Sequence, residues 1–375
     1  MPAILYLLAA CNLVIGTGAF GLAGILQPVS VAMDVSVAAA GQSMTVYAFA
    51  TALLAPLLLL ATGRWPRKAV LLLGLALFAA GTLVCALSTG LGGLLLGRVL
   101  MGAGAVFTPV AAGIAVALVP PERRGKALSL TFLGMSMSYV VGLPLTAWLG
   151  LQYGWRWPLF GVVGAALLAL ALVATTVPRH INAPGASFAG LGATLRNPEV
   201  VRTLVLTLLY FSAIFTVFAY IGPVLLALNP AQGSLLSLTL MLFGFAGMAG
   251  TLSGGWASDR FGARPTLKLQ LAGFAAAMLV IPLTAGHWGA TVAAFMVWGI
   301  CGFGMMTPQQ TRLAGAVPAQ APLLMSLNTS MLYFGTAIGA AVGGPAGSAW
   351  GFGWLPWLGV VFAVLGALTF GTMRK

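Results

Sequence analysis

Few side chains in this sequence are equipped for acid–base, metal or charge chemistry: four acids (Asp34, Glu122, Glu199, Asp259), two histidines (His180, His287) and three cysteines (Cys11, Cys85, Cys301). Acid–base catalysis needs a titratable group at the reacting site, yet each acid and each histidine maps to the end of an apolar run or to a connection between runs. The cysteines sit singly inside apolar runs, without metal-ligand spacing, and read as small packing residues. The sequence carries no phosphate-binding loop, metal cluster or nucleophile triad, so neither enzymatic chemistry nor a metal or cofactor is expected. One base stands apart. Arg98 lies well inside an apolar run, roughly 10 Å from its end at 1.5 Å per residue. A guanidinium in lipid costs about 3 kcal/mol on insertion scales, so Arg98 is expected to face a protein interior.

The elements that position these residues follow from composition. Of 375 residues, 60% are hydrophobic and 6% charged, whereas a soluble domain carries roughly a quarter charged residues. Apolar runs occupy residues 3–29, 38–62, 69–89, 91–118, 126–150, 157–177, 201–228, 234–257, 265–285, 288–313, 322–348 and 351–372. Each is long enough to cross a bilayer as a helix, which takes about 20 residues. Lipid demands that every backbone group be paired within its own segment. The runs are about twice the length of barrel strands. The first run has no base before it and is too long for a signal core, so it reads as a membrane helix. The expected fold is an all-α membrane protein of twelve transmembrane helices, with the lipid bilayer as main solvent.

The net charge of +13 is distributed as loop clusters and not as a nucleic-acid-binding face. Arg64, Arg67 and Lys68 follow the second run, and Arg123, Arg124 and Lys126 the fourth. Arg179, Arg196 and Arg202 surround the central connection, and Arg260, Arg264 and Lys268 follow the eighth run. Arg312 ends the tenth, and Arg374 and Lys375 close the sequence. These positions alternate, so the positive-inside rule places them and both termini in the cytoplasm. The polar stretch 178–200 separates an N-terminal six-helix bundle (1–177) from a C-terminal one (201–375). The halves echo one another. Gly63 to Lys68 corresponds to Asp259 to Arg264. The four-residue spacing of Gly134, Ser138 and Gly142 in the fifth run recurs as Gly335, Gly339 and Gly343 in the eleventh. Small residues so spaced form a groove for close helix approach; tight packing, homodimer contact and a sliding interface are all open readings. Two pseudo-symmetric bundles with an even number of helices are related by an axis along the membrane normal. Trp155, Trp157, Trp354 and Trp357 lie near expected outer helix ends and read as interfacial anchors.

In Gly255-Trp256-Ala257-Ser258-Asp259-Arg260-Phe261-Gly262-Ala263-Arg264 the sequence resembles the loop signature of the major facilitator superfamily. The first-half counterpart has Gly63 where the signature has aspartate. Arg98 to Gly104 is similar to the family's R-x-x-x-G-x-G, and Gly142-Leu143-Pro144 to its export-associated element. Together these resemble the twelve-helix drug:proton antiporter branch of arabinose-efflux and chloramphenicol-export type. The resemblance implies a transporter in the cell (inner) membrane, functional as a monomer and working by alternating access. It would export a small amphipathic drug, sugar or metabolite by proton antiport, and because Arg98 alone charges the expected cavity that molecule is expected to be neutral or anionic. An uncoupled facilitator of the same fold and a non-transporting membrane receptor or sensor remain as alternatives.

Under that resemblance Asp259 is a gating residue, docking on the N-terminus of the fifth helix, with Arg260, Gly262, Arg264, Arg64 and Arg67 as its conformational neighbourhood. Arg98 either controls proton release or an anionic substrate, or pairs structurally with the first-helix backbone, Asn12 or Thr17. Asn12, Thr17, Tyr139, Tyr210, Gln310, Asn328 and Tyr333 are cavity candidates, with Tyr47, Phe211, Tyr220 and Gln309 beside them. Gly102, Gly134, Gly142, Pro144, Gly335, Gly339 and Gly343 are packing positions. Asp34, at the outer end of the second run, is the substitute for a missing membrane-depth proton site.

Overall fold

The computed structural model describes residues 2–120, 123–179, 181, 192, 195–230, 233–317 and 320–371. Glu122, His180, most of the expected central connection, Arg374 and Lys375 lie outside the described residues. Within them the secondary structure is helical and falls into two compact units, Met1–Ser187 and Phe188–Lys375.

The first unit contains α1 (Ala3–Phe20, a 3-10 turn Gly21–Gly24, then Leu26–Ala32), α2 (Val37–Ala61), α3 (Arg67–Leu87) and α4 (Leu91–Gly104, then Phe107–Ala117). These are followed by α5 (Arg124–Met137, a π turn Ser138–Gly142, then Leu143–Tyr153) and α6 (Arg156–Thr176). The second unit contains α7 (Pro198–Phe218, then Ile221–Leu228), α8 (Gly233–Phe261), α9 (Ala263–Val280 and a 3-10 turn Ile281–Thr284), α10 (Trp288–Gly304, then Met306–Ala316), α11 (Ala321–Trp350) and α12 (Leu355–Gly371). Eleven of these are long and apolar enough to cross a membrane. The twelfth, α11, has 30 residues, and its Ser, Thr, Asn and Gly content makes it more polar. Leu168, Leu269 and Leu283 are among the many exposed apolar side chains, as expected where lipid replaces water.

Four helices expected to be continuous are broken: α1, α4, α7 and α10. The cause is in the sequence. Pro28, Pro109, Pro223 and Pro308 each stand third in the segment after the break. Proline has no N–H to donate four residues back, and its ring presses on that carbonyl. The residues four back are Gly24, Ala105, Ala219 and Gly304, which are the break residues or border them. Pro144 acts similarly in α5, where the residue four back is Val140, inside the π turn.

Boundaries moved as well. α7 starts at Pro198, three residues earlier than expected, because Asn197 caps it by accepting from the Glu199 N–H at 2.9 Å. α8 runs on to Phe261 and takes Asp259 and Arg260 into its last turn; Gly262, with φ of +90°, then reverses the chain into α9. A φ in that region suits glycine, which has no Cβ.

Packing is alike in the two units: α1 on α5 and α6, α2 and α3 on α4, and α3 on α6 correspond to α7 on α11 and α12, α8 and α9 on α10, and α9 on α12. The spaced small residues make these contacts. A Cβ on Gly134 or Gly142 would strike the Ala9 carbonyl or the Thr17 hydroxyl of α1; one on Gly335 or Gly339 would strike the Leu208 or Ser212 carbonyl of α7. A Cβ on Gly343 would lie 2.7 Å from the Thr216 carbonyl, and one on Gly102 2.9 Å from the Tyr47 carbonyl of α2. Each groove is therefore filled from within its own unit. The α3–α6 pair is fastened at both ends. Lys68 Nζ donates to the Ala174 carbonyl (2.7 Å), and Arg156 donates to the carbonyls of Ala86 (3.1 Å) and Ser88 (2.8 Å). Trp155, expected as an interfacial anchor, is buried with the Arg156 guanidinium 4.4 Å from its ring centroid; Trp157, Trp354 and Trp357 are exposed.

Gly134→Ala is expected to destabilise the protein by about 1–3 kcal/mol through overpacking. Gly125→Ala, where an added Cβ meets nothing within 4 Å, should stay near wild type. Reversible unfolding in detergent micelles checks the pair, and equal stabilities would refute the groove.

Candidate functional site

A broken helix leaves carbonyls without intrahelical donors, and in the first unit these carbonyls organise the polar interior. The first segment of α1 ends at Phe20, so the carbonyls just before it need partners. Arg98 of α4 supplies them: its Nη1 donates to the Gly18 carbonyl at 3.1 Å and the Ala19 carbonyl at 3.0 Å. A cation at a helix C-terminus also complements the dipole. Arg98 is 0% exposed, and its guanidinium lies 5.7 Å from the Tyr47 ring centroid on α2. Of the three structural partners expected for Arg98, the first-helix backbone is the one observed.

Asn12 and Thr17 do other work. Asn12 is fully buried: its Nδ2 donates to the Thr131 carbonyl of α5, and its Oδ1 accepts from Thr108 Oγ1 of α4, each at 3.0 Å. Three helices are joined by one amide with both its ends bonded. Thr17 is half-buried where Gly142 packs, and the Tyr139 ring stacks on Phe20 at 5.1 Å. Thus the Gly142–Pro144 element adjoins the α1 break.

The second unit repeats the three-helix link with different residues. Thr207 Oγ1 of α7 donates to Asn328 Oδ1 of α11 at 2.7 Å and accepts from Gln309 Nε2 of α10 at 3.1 Å. Gln309 Nε2 also donates to the Thr203 carbonyl. Asn328 holds the place in α11 that Thr131 holds in α5, while Thr108 and Gln309 both lie in the first turn after their breaks. Gln309 is the buried member of its pair; Gln310 is half-buried. Tyr210 is buried against Phe211 (centroids 4.7 Å apart), which continues through Phe215 to Phe218 as an aromatic row along α7. Tyr220, in the α7 break, donates to the Ala340 carbonyl at 2.8 Å. Tyr333 is half-buried on α11.

The charged candidates lie at helix ends. Asp259 and Arg260 are exposed, and the Arg260 guanidinium sits 5.7 Å from the Trp256 ring and 5.8 Å from that of Phe261. Arg264 and Arg312 both approach the buried Phe370 ring, at 5.7 and 5.0 Å. Arg67 is buried and donates to the Gly63 carbonyl at 3.1 Å; Arg64 is exposed. Asp34 is exposed with φ of +52° in the turn between α1 and α2, and so belongs to a connection and not to the second helix. Sequence reasoning passed over Thr108, Thr131 and Thr207, since a lone threonine in an apolar run looks like packing. The amides at matching depth were the available signal.

The family model described as Major Facilitator Superfamily matches residues 8–314 and 227–374. The inner membrane transport protein YdhP of Escherichia coli K12 is 30% identical over 366 residues, 96% of this chain and 93% of that protein. The uncharacterized MFS-type transporter YbcL of Bacillus subtilis 168 is 26% identical over 97% of this chain and 94% of its own. Among solved structures, a D-xylose-proton symporter superposes with a TM-score of 0.80 at 15% identity, covering 99% of this chain and 97% of that one. The nucleoside transporter NupG gives 0.80 at 13% identity with both chains fully covered. At such identities the two structures speak to fold alone.

A double-mutant cycle of Asn12→Ala and Thr108→Val is expected to give a coupling energy of about 0.6–1.7 kcal/mol, the range of interhelical hydrogen bonds in membranes. Unfolding equilibria in micelles measure it; strict additivity would mean the amide link does not hold α1 to α4.

Proposed function

The chain belongs to the Major Facilitator Superfamily, and on that premise we propose that it exports a small neutral or anionic amphipathic molecule by alternating access. That it is a multi-pass membrane transporter follows from the family, its transporter relatives and its many apolar helices. The observation that carries the substrate reading is Arg98. Among the described residues it is the charge that lies fully buried in the interior of a span, while Asp34, Glu199 and Asp259 are exposed. A cationic substrate would meet like charge and no carboxylate.

Outward transport is supported by the Gly142-Leu143-Pro144 element, which sits beside the α1 break. Proton antiport is the coupling expected of the branch the sequence resembles. One observation favours a second reading, an uncoupled facilitator: Asp34 is an exposed turn residue, so it is poorly placed to carry protons through lipid. We place both termini and the basic connections in the cytoplasm, in the inner membrane of the cell, with the monomer as the working unit. Asp259, in the last turn of α8, acts as the latch of the cytoplasmic side by docking its carboxylate on a helix N-terminus, an interaction worth about 0.3–1 kcal/mol. Gly262 turns the chain just after it, with Arg260 and Arg264 on either side, and Arg64 and Arg67 hold the corresponding turn of the first unit.

Expression in a pump-deleted host with a toxicity and metabolite-export screen tests the export reading, and a strain indistinguishable from its empty-vector control across the screen would reject it. Asp259→Asn is expected to lower transport and shift cysteine accessibility toward the cytoplasm by about two- to fivefold, the equivalent of the docking energy. An unchanged accessibility ratio would remove the latch. In vesicles with a preset pH gradient, substrate transported without altering the gradient rules out antiport and leaves the facilitator.

A further inference from the structure

A guanidinium has five N–H donors in a planar fork. In Arg98 the two on Nη1 are taken by the Gly18 and Ala19 carbonyls. Nε and Nη2 are buried and have no hydrogen-bond partner. These three remaining N–H groups include the parallel pair along the Nε–Nη2 edge, inside a residue that is 0% exposed. The Tyr47 ring attracts the charge at 5.7 Å but offers no in-plane acceptor. The chain has four acids in all; Asp34, Glu199 and Asp259 are exposed, and Glu122 stands 24 residues after Arg98 in the sequence. Arginine does not escape by losing its proton, and a buried charge without a counter-charge is strongly unfavourable.

We propose that the Nε–Nη2 edge of Arg98 binds the carboxylate of a small organic monoanion. Two parallel N–H groups match the two oxygens of one carboxylate, the bidentate geometry for which arginine is suited. One negative charge neutralises the one guanidinium. A dianion would leave an excess charge in the bilayer, and a halide would engage the charge without using the fork. The site lies about 10 Å along α4 from its Leu91 end, counting 1.5 Å per residue. Its guanidinium lies against the carbonyls that end the first segment of α1 and beside the Tyr47 ring. Because the same guanidinium caps the first segment of α1, occupancy of its free edge is transmitted to the broken helix. This narrows the substrate class to anions and rests on the carrier reading only in taking the bound anion as cargo; the binding itself does not depend on transport.

The test uses the full-length protein in zwitterionic nanodiscs and follows thermal unfolding, since a ligand of the folded state raises its midpoint. The probes are benzoate and 4-phenylbutanoate, their neutral amides, and chloride. A saturable rise with either carboxylate but not its amide is expected. Arg98→Gln should weaken the apparent affinity by about tenfold or more, and Arg98→Lys, which keeps charge without the fork, by less. No shift with either carboxylate, equal shifts with acid and amide, an equal saturable shift with chloride, or an unchanged response in Arg98→Gln would each overturn the site. Should Arg98→Gln fail to fold, solid-state NMR of wild type decides: dipolar contact between the 13C-carboxylate of benzoate and a 15N-arginine shielded from exchange supports the proposal, and its absence overturns it. Carboxylate binding without counterflow of labelled benzoate would keep the anion site and reject the carriage of that anion. Counterflow of a neutral substrate with no carboxylate binding would do the reverse.

Discussion

Inside a bilayer every backbone N–H and C=O must find a partner within protein, since lipid offers none, and this constraint shapes both units down to single side chains. Continuous helices meet it automatically. Proline-broken helices do not, and four of the twelve are broken, in equivalent places. In the first unit the orphaned carbonyls of α1 recruit a partner from a neighbouring helix, Arg98 of α4, and in the second the hydroxyl of Tyr220, in the α7 break, reaches across to the Ala340 carbonyl of α11. Polar chemistry thus collects where regular structure fails, which is also where a transporter has use for it.

The two units solve one problem with different residues. In each, a first, a fourth and a fifth helix are joined at matching depth: Asn12, Thr108 and Thr131 in one, Thr207, Gln309 and Asn328 in the other. The amide sits on the first helix in one unit and on the fourth and fifth in the other. Close packing accompanies these links, because glycine lets α5 and α11 approach α1 and α7 until backbone touches backbone. Conserving the geometry while exchanging the residues makes each unit chemically distinct, and the first carries in Arg98 a fully buried arginine.

Much of this was legible beforehand. Apolar run lengths located all twelve helices, and the four-residue spacing of Gly134, Gly142, Gly335 and Gly339 announced the close contacts. The breaks were missed although their cause was visible: hydropathy is blind to whether an apolar run is continuous, while Pro28, Pro109, Pro223 and Pro308 mark the interruptions. Asp259 was expected past the end of its helix because charged residues look like loop, but the chain stays helical until glycine at 262 turns it. Gln309 and Gln310 could not be ranked from order alone, since one residue of helix is 100° of rotation. The destination of Arg98 was narrowed to a short set of partners, of which geometry selected the backbone.

The fastening of α3 to α6 has a mechanical meaning. Lysine at one extremity and arginine at the other hold two antiparallel rods by their carbonyl termini, as rungs hold the rails of a ladder. Such a pair resists shear, so any deformation within the first unit is channelled into its neighbours, and the jointed α1 and α4 are the compliant members available to take it up.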